Sequence, residues 1–270
     1  MSATPAVATE GLSKFYGDVR GVEDVSFAVP RGEVFGFLGP NGAGKTTTIR
    51  ALMGFLAPSA GEARLLGHDV ADEAELRAAK AEVGYLPSDP GLDEGVTGRR
   101  LLEYYGSLRG DERSGELLVM DEPTSGLDPL KQERFHAFVR EEAAAGRTVF
   151  LSSHVLSEVQ AVCDRVGILR DGRLAELADV EELVARGGKV VTARLRGSVE
   201  GSAFDLPGVH DRRTSTESGV TTLSFTYTGG YDALLDALAE REVLDVAIED
   251  APLEDVFMRF YGDQEVTASA

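Results

Sequence analysis

Gly39-Pro-Asn-Gly-Ala-Gly-Lys-Thr46 is the stretch that decides the fold of this chain. It follows an apolar run from Val34 to Leu38 and opens a segment of helical pattern from Thr46 to Leu56. Strand, glycine-rich loop and helix in this order are the context that the pattern G-x-x-x-x-G-K-[ST] requires. The plain alternative is a glycine-rich turn with a chance lysine, and the flanking elements count against it. The stretch therefore predicts a phosphate-binding loop.

The residue types in this loop suit a polyphosphate. Gly42 and Gly44 leave no Cβ between the backbone N–H groups and the phosphates, and the helix N-terminus adds positive potential. Lys45 is expected to reach the outer phosphates, and the Thr46 hydroxyl is the expected ligand of Mg²⁺. The other loop residues expected to contact the bound ligand are Gly39, Asn41, Ala43 and Thr47.

Composition limits the class of protein. The 270 residues are 43% hydrophobic, which suffices for two domains, and the net charge is −19. The excess of acidic residues is diffuse, and such a chain is either a moderately acidic cytoplasmic protein or, as we favour, a halophilic one whose self-repulsion is screened by salt. Nucleic acid is not an expected partner, because a phosphate backbone needs a basic face.

Two further features of the sequence predict location. No apolar run approaches the length of a membrane span, and the segment from Met1 to Ala8 lacks the features of a signal peptide. A soluble, cytoplasmic chain is therefore expected. Cys163 is the single cysteine, and we interpret it as a buried apolar residue in a reducing compartment and not as a metal ligand.

Polar residues with possible chemical roles follow two apolar strands. The run from Leu117 to Met120 ends in Asp121-Glu122, where Asp121 would hold Mg²⁺ through water and Glu122 would orient or deprotonate the attacking water. The alternative is a solvated acidic pair. The strand from Thr148 to Leu151 precedes His154, which is expected at the sheet edge where ligands collect in open α/β folds.

Tyr16 lies between two predicted strands, Val7 to Leu12 and Val22 to Val29. Position alone leaves two roles open, a core side chain or a platform for an adenine ring. The helices expected elsewhere are Asp72 to Ala81, Thr97 to Leu108, Leu130 to Ala145, Val180 to Arg186, Tyr231 to Glu240 and Leu253 to Tyr261. A hairpin is expected from Val166 to Leu177. The predicted domains are an α/β domain over 1–186, an accessory α+β domain over 187–262 and a disordered tail over 263–270.

From Val7 to about Arg186 the chain resembles the nucleotide-binding subunit of ATP-binding cassette (ABC) transporters, which implies a P-loop NTPase fold with a mixed sheet. The loop Gly39 to Thr46 resembles the Walker A motif and Leu117 to Glu122 the Walker B motif. Ser125 to Asp128 is similar to the D-loop, His154 to the switch histidine and Tyr16 to the adenine-stacking aromatic residue. The resemblance implies ATP and Mg²⁺ as cofactors, Glu122 and His154 as catalytic residues, and Asp128 and Ser88 beside the nucleotide.

The segment Asp121 to Pro129 and the accessory domain look most like subunits that pair with ABC-2-type permeases, often in exporters. The resemblance therefore implies a location at the inner face of the membrane, a permease partner and a second ATP-binding subunit in a homo- or heterodimer.

The chain departs from the family pattern in two places. Ser88 stands where the family usually has glutamine, and its side chain is too short to reach as glutamine does. The helical region, about 89–116, lacks the signature Leu-Ser-Gly-Gly-Gln, as though a few dozen residues had been removed near Leu117. Because each family site needs the signature of the opposite subunit, a homodimer is expected to bind ATP and to hydrolyse it poorly. The alternative function is a non-hydrolysing regulatory or decaying paralogue.

Overall fold

A computed structural model describes residues 4–88, 115–199 and 204–251. The chain forms two compact units that divide between Val180 and Glu181, a few residues before the boundary expected after residue 186. Most of the shortened region 89–116, the helices predicted from Thr97 and from Leu253, and the tail 263–270 lie outside the described residues. In the described part, no helix is both long enough and apolar enough to cross a lipid bilayer.

The larger sheet of the first unit carries the predicted loop. In the described residues its strand order is β10-β9-β3-β8-β7-β6, and all neighbours run parallel except the β9–β10 hairpin. The strands are β3 (Val34–Leu38), β6 (Val83–Leu86), β7 (Leu117–Asp121), β8 (Thr148–Ser153), β9 (Arg165–Arg170) and β10 (Arg173–Asp179). Every residue of β3, β7 and β8 is buried, as expected for apolar strands covered on both faces.

A smaller antiparallel sheet packs against the larger one. Its order is β2-β1-β4-β5, from β1 (Val7–Tyr16), β2 (Val19–Val29), β4 (Ala60–Leu65) and β5 (His68–Asp69). Phe27 of β2 lies 5.3–6.0 Å, between ring centroids, from rings of the larger sheet. Stacked and tilted aromatic pairs at this separation stabilise a core beyond their buried area. The rings of that sheet are Phe35, Phe37 and Phe150.

The described helices of the first unit connect these strands. They are α1 (Lys45–Leu52), α2 (Glu73–Ala81), α3 (Pro129–Ala144) and α4 (Leu156–Val162). Helix α5 (Val180–Gly187) begins at the last residue of the first unit. Asp72 caps α2 by accepting hydrogen bonds from the N–H groups of Ala74 and Glu75. Helix α4 was not predicted. Cys163 follows it and is buried, which raises the pKa of its thiol.

In the first unit, the largest differences between prediction and structure are at β1 and β5. The first strand was expected to end at Leu12, but β1 continues to Tyr16 through register shifts in its pairing with β2. The pair Phe15 and Tyr16 therefore belongs to a strand end and not to a connecting segment. Strand β5 was also not predicted, because its two residues are too few to show a pattern.

The second unit is an antiparallel sheet with one described helix. The strand order is β12-β13-β11-β14, and residues of α6 (Tyr231–Ala239) pack into its core. The strands are β11 (Lys189–Arg196), β12 (Val209–Glu217), β13 (Val220–Tyr227) and β14 (Val243–Asp250). Strand β12 was missed, because eight of its nine residues are exposed and no alternation of apolar residues marks it. The core includes Val191, Phe204, Phe225 and Leu234.

Candidate nucleotide-binding site

The predicted site residues follow three neighbouring parallel strands. In the register of the sheet, Leu38 of β3 pairs with Ser153 of β8, and Asp121 of β7 pairs with Ser152. The residues after these strand ends are the glycine-rich loop, Glu122 and His154. The carboxyl ends of parallel strands form the edge where ligands bind in open α/β sheets, so the fold brings the three groups together.

The glycine-rich loop joins β3 to α1 through a compact turn. The Gly39 N–H donates to the Ser153 carbonyl at 3.3 Å, and the Ala43 N–H donates to the Pro40 carbonyl at 3.1 Å. Gly44 is the N-cap residue of α1 and has a φ of 107°, in the left-handed region that favours glycine. The loop therefore ends at a helix N-terminus, which is favourable for an anion.

Lys45 lies at the centre of the site and is almost fully buried. Its side chain is 4% exposed, and its Nζ donates to the Gly39 carbonyl at 2.6 Å and to the Pro40 carbonyl at 3.1 Å. The same Nζ lies 3.1 Å from Oε1 of Glu122. The ammonium group is thus fixed beside the loop by two carbonyls and one carboxylate.

Glu122 connects Lys45 to the predicted histidine. Its second carboxylate oxygen, Oε2, lies 2.8 Å from Nδ1 of His154. The backbone of Glu122 has a φ of 49°, and its N–H donates to both the carbonyl and the Oγ of Ser152, at 3.2 and 3.0 Å. A left-handed residue other than glycine costs about 1–3 kcal/mol, and such strain clusters at functional sites. The structure therefore joins Lys45, Glu122 and His154 in one group.

Asp121 offers one free oxygen to a metal ion. The residue is 1% exposed, its Oδ1 accepts a hydrogen bond from Ser152 Oγ at 2.6 Å, and its Oδ2 is buried with no hydrogen-bond partner in the described structure. An unpartnered buried carboxylate oxygen costs free energy, and a cation would satisfy it. Among the described residues no cluster of three or more acidic, His or Cys side chains could hold a metal. Few protein ligands suit Mg²⁺, which keeps waters and binds substrate phosphates.

Tyr16 lies close to the start of α1. Tyr16 is 49% exposed, and the Nζ of Lys14 lies 5.6 Å from the centroid of its ring. A Cβ added at Gly21 would lie 2.8 Å from the Tyr16 ring and 3.3 Å from the Thr47 methyl group. The ring and Thr47 therefore flank Gly21, and the exposed face of the ring agrees better with a platform than with a core side chain.

The two remaining predicted residues are exposed and lie on loops. Ser88 follows β6 and is exposed. Asp128 is the N-cap residue of α3, where its side chain accepts from the Lys131 N–H at 3.0 Å and pairs with the Lys131 ammonium at 2.9 Å. These bonds lower the pKa of the Asp128 carboxyl. The structure thus gives Asp128 a helix-capping role, which the sequence analysis did not propose.

Comparison with known proteins identifies the family. The family model described as ABC transporter matches residues 22–170, more than half of the chain. The chain belongs to the ABC transporter family. It is similar to the daunorubicin resistance ATP-binding protein DrrA3 of Streptomyces coeruleorubidus, with 32% identity over 97% of each chain. It is also similar to the Nod factor export ATP-binding protein I of Mesorhizobium japonicum, with 31% identity over 97% of this chain and 88% of the relative.

Solved structures agree with this assignment. A structure described as an ATP binding subunit of an ABC transporter aligns with a TM-score of 0.57 and 26% identity, over 68% of this chain and 93% of the other. The expected mixed α/β P-loop fold is therefore confirmed. The chain is an ATP-binding subunit of an ABC transporter, a family whose members hydrolyse ATP, bind ATP as their nucleotide and work with membrane permeases.

Two buried residues of the ATP-binding subunit were missed in the sequence. Ser152 bonds both Asp121 and the Glu122 backbone, and Glu158 of α4 is a buried acid bonded to Thr124 and Ser153. The sequence contained one signal for Ser152, its place at the end of a strand before His154. Nothing in the sequence marked Glu158, because an acidic residue in a short polar helix is ordinarily solvated.

Gly44→Ala should damage the loop of the ATP-binding subunit more than Gly42→Ala does. Both residues have positive φ, but an added Cβ at Gly44 would lie 2.7 Å from the Gly21 carbonyl oxygen and would clash with Val22, whereas at Gly42 it meets open space. Backbone strain of about 1–3 kcal/mol is common to both variants. In thermal unfolding, the melting temperature of Gly44→Ala should therefore be lower than that of Gly42→Ala, by roughly 2–4 °C for each kcal/mol that the clash costs. Equal melting temperatures would contradict the clash.

Proposed function

We propose that this ATP-binding subunit binds Mg²⁺-ATP at the loop 39–46 and hydrolyses it with Glu122 as the base. The observation that carries the proposal is the group formed by Lys45, Glu122 and His154 beside the buried Asp121. One ammonium, one strained acidic residue and one imidazole lie at the end of a phosphate-binding loop. Phosphoryl transfer needs positioning and electrostatic stabilisation from groups of these kinds.

The glycine-rich loop would hold the polyphosphate. Backbone N–H groups at the start of α1 face an anion without hindrance from side chains at Gly42 and Gly44. Lys45 would exchange its bond with Glu122 for the outer phosphates. Gly39, Asn41 and Ala43 belong to the same loop, whereas Thr46 and Thr47 lie in the first turn of α1. Tyr16 would stack on the adenine ring, which its 49% exposure supports.

Magnesium fits the residues that remain. Asp121 Oδ2, buried and without a partner in the described structure, supports an ion that this carboxylate holds through water, with the half-buried Thr46 hydroxyl as its direct ligand. A bound Mg²⁺ would neutralise charge on the phosphate oxygens. Ser152 holds the other oxygen of Asp121 and so fixes the direction of the carboxylate.

Glu122 and His154 would act on the attacking water. Glu122 Oε2 lies 2.8 Å from His154 Nδ1, so the imidazole orients the carboxylate that accepts the proton of the water. When Lys45 turns to the phosphates, Oε1 of Glu122 becomes available to that water. Ser88 and Asp128 would lie at the margin of the site. A serine at position 88 makes the contact to the water or the metal weaker than a glutamine would.

The missing signature is the part of the proposal with the largest functional consequence. The alignment with the Streptomyces coeruleorubidus protein has 311 positions, so at least 41 of them face gaps in this chain of 270 residues. This length difference supports the loss of a segment of a few dozen residues. A homodimer would then bind two ATP molecules and hydrolyse them slowly. A full-length second subunit would complete the site formed by Lys45 and Glu122.

The partner in the membrane is proposed from the relatives. Their names concern daunorubicin resistance and Nod factor export, which supports an ABC-2-type export permease as partner and a location on the cytoplasmic face of the membrane. The test is ATP turnover by the purified chain in multimolar KCl, alone, with the permease encoded beside it, and with any full-length cassette subunit. Stimulation by the full-length subunit supports the proposal. Absence of turnover under all three conditions would contradict it.

We also propose that the protein is halophilic, and its thermal stability should rise with salt. The chain has a net charge of −19, so its acidic residues repel one another. Raising the ionic strength from 0.1 M to 1 M shortens the Debye length from about 10 Å to about 3 Å and screens this repulsion. Thermal unfolding measured from 0.1 to 3 M KCl should show a rise of roughly 5 °C or more, steepest below 1 M, which corresponds to about 2 kcal/mol. A flat melting temperature over this range would refute the halophilic assignment.

A further inference from the structure

Glu158 is a buried carboxylate that the proposed mechanism does not use. It lies in the first turn of α4 and is 7% exposed. Its Oε2 accepts hydrogen bonds from Thr124 Oγ1 at 2.6 Å and from Ser153 Oγ at 2.9 Å, and its Oε1 accepts one from Gln132 Nε2 at 3.4 Å. All three recorded donors are neutral. Burying a carboxylate among neutral donors costs free energy. A role other than stabilising the fold would explain why Glu158 is buried at this position.

The two short hydrogen bonds of Glu158 connect it to one residue near Glu122 and to one residue next to His154. Thr124, which is 5% exposed, comes two residues after Glu122, and Ser153 comes directly before His154. Both hydroxyls donate to the same carboxylate oxygen, so one atom joins the loop after β7 to the end of β8.

The backbone around His154 depends on the same network. Ser153 Oγ accepts a hydrogen bond from the Val155 N–H at 2.9 Å while it donates to Glu158. Val155 is the N-cap residue of α4, so this bond encloses His154 between two fixed residues. On the other side, the Thr124 carbonyl accepts from the Leu127 N–H at 3.0 Å, which closes a turn in the loop after Glu122.

We propose that Glu158 is a positioning residue that holds Glu122 and His154 at hydrogen-bonding distance. The inference rests on the proposed roles of those two residues in ATP hydrolysis. Glu158 contacts neither of them and acts through Thr124 and Ser153. Without it, the loop after β7 and the segment around His154 lose their common anchor, and the 2.8 Å contact between Glu122 and His154 is no longer enforced.

Two substitutions of Glu158 distinguish the positioning role of its hydrogen bonds from the volume that its side chain fills. Glu158→Ala removes both acceptors, whereas Glu158→Gln keeps the shape and one carbonyl oxygen that both hydroxyls can reach. Ser157→Ala, at the exposed neighbour in α4, is the matched control. In single-turnover hydrolysis of radiolabelled ATP, with protein in excess so that slow rates are measurable, Glu158→Ala should be slower by roughly 10- to 100-fold. Glu158→Gln should recover most of the rate, and the dissociation constant for ATP should stay within about twofold of wild type in all three variants.

A double variant distinguishes this inference from the proposed function. If Glu158 acts through Glu122, Glu158→Ala should slow hydrolysis in the wild-type background and add nothing to Glu122→Gln. An equal loss in both backgrounds, or a parallel loss of ATP binding, would overturn the positioning role and leave the proposed function standing. If Glu122→Gln itself does not slow hydrolysis, the proposed function fails.

Amide hydrogen exchange gives a readout that needs no turnover. Glu158→Ala should speed exchange at Val155 and Leu127, whose N–H groups belong to the two anchored segments, while exchange in α1 stays unchanged. Glu158→Gln should preserve protection at both. Unchanged exchange at Val155 and Leu127 in Glu158→Ala would overturn the inference, whether or not wild-type hydrolysis is measurable.

Discussion

Lys45→Ala is expected to abolish ATP binding. The Lys45 ammonium is 4% exposed and lies within 3.1 Å of two loop carbonyls and the Glu122 carboxylate, so its position relative to the loop is fixed before nucleotide arrives. Removing one partner of a buried charged contact costs about 3–5 kcal/mol, which corresponds to an affinity weaker by roughly 10²–10⁴-fold. Titration with a fluorescent ATP analogue, in high salt with Mg²⁺, measures the loss.

Lys189→Ala is the matched control for this variant. It removes the same charge from a chain of net charge −19, but Lys189 pairs with Asp250 in the second unit. ATP affinity should be unchanged in Lys189→Ala, which separates the local contact from the effect of total charge. Equal binding by the wild type and Lys45→Ala would refute the assignment of the nucleotide site.

Glu122→Gln should remove most ATP hydrolysis and leave ATP binding intact. The carboxylate contacts Lys45 at 3.1 Å and His154 at 2.8 Å, and the amide keeps its shape while it loses the ability to accept a proton. A general base contributes about 10²–10⁴-fold to the rate. The measurement is ATP turnover with a full-length cassette subunit present, because that subunit would supply the signature to the site of this chain. The stimulation it gives should vanish in Glu122→Gln.

Glu133→Gln controls for the loss of one negative charge. Glu133 is an exposed residue of α3, with 71% of its side chain accessible, and its substitution should leave turnover unchanged. The chain alone is expected to hydrolyse ATP slowly. Rapid, cooperative hydrolysis by the chain without a partner would show that the account of the missing segment is wrong.

The sequence predicted the parts of the fold with strong local patterns. Strands β3, β7 and β8 each contain a short apolar run, and burial on both faces selects such runs for parallel sheets. Helix α4 gave no comparable signal. It has seven residues, too few for a stable isolated helix, so packing of buried Val159 holds it in place. Strand β12 is held by pairing with β13 along an edge, which no pattern within its own residues shows.

The candidate site, like the fold, has parts that could be predicted from the sequence and parts that could not. Lys45, Glu122 and His154 were predicted because each follows a strand that is recognisable in the sequence, and parallel pairing places those strand ends together. Their distances could not be predicted, because they depend on the strained backbone of Glu122 and on the hydrogen bonds that its N–H donates to Ser152. Glu158 could not be identified as a buried acid, since one of its hydrogen-bond donors, Thr124, is 34 residues away in the chain.

The pairing of β6 with β7 has a consequence for protein engineering. Leu86 lies opposite Met120 in adjacent parallel strands, and β6 is the edge of the described sheet. Because the two strands are parallel, their connection begins after Leu86 and ends at Leu117, which lies opposite Val83 at the other edge of the sheet. The entropy of closing a longer connection grows only slowly with its length, by about 0.6 kcal/mol for each doubling. We therefore expect that a longer connection between β6 and β7 is tolerated if it still crosses from one edge of the sheet to the other and leaves the pairing of the two strands unchanged.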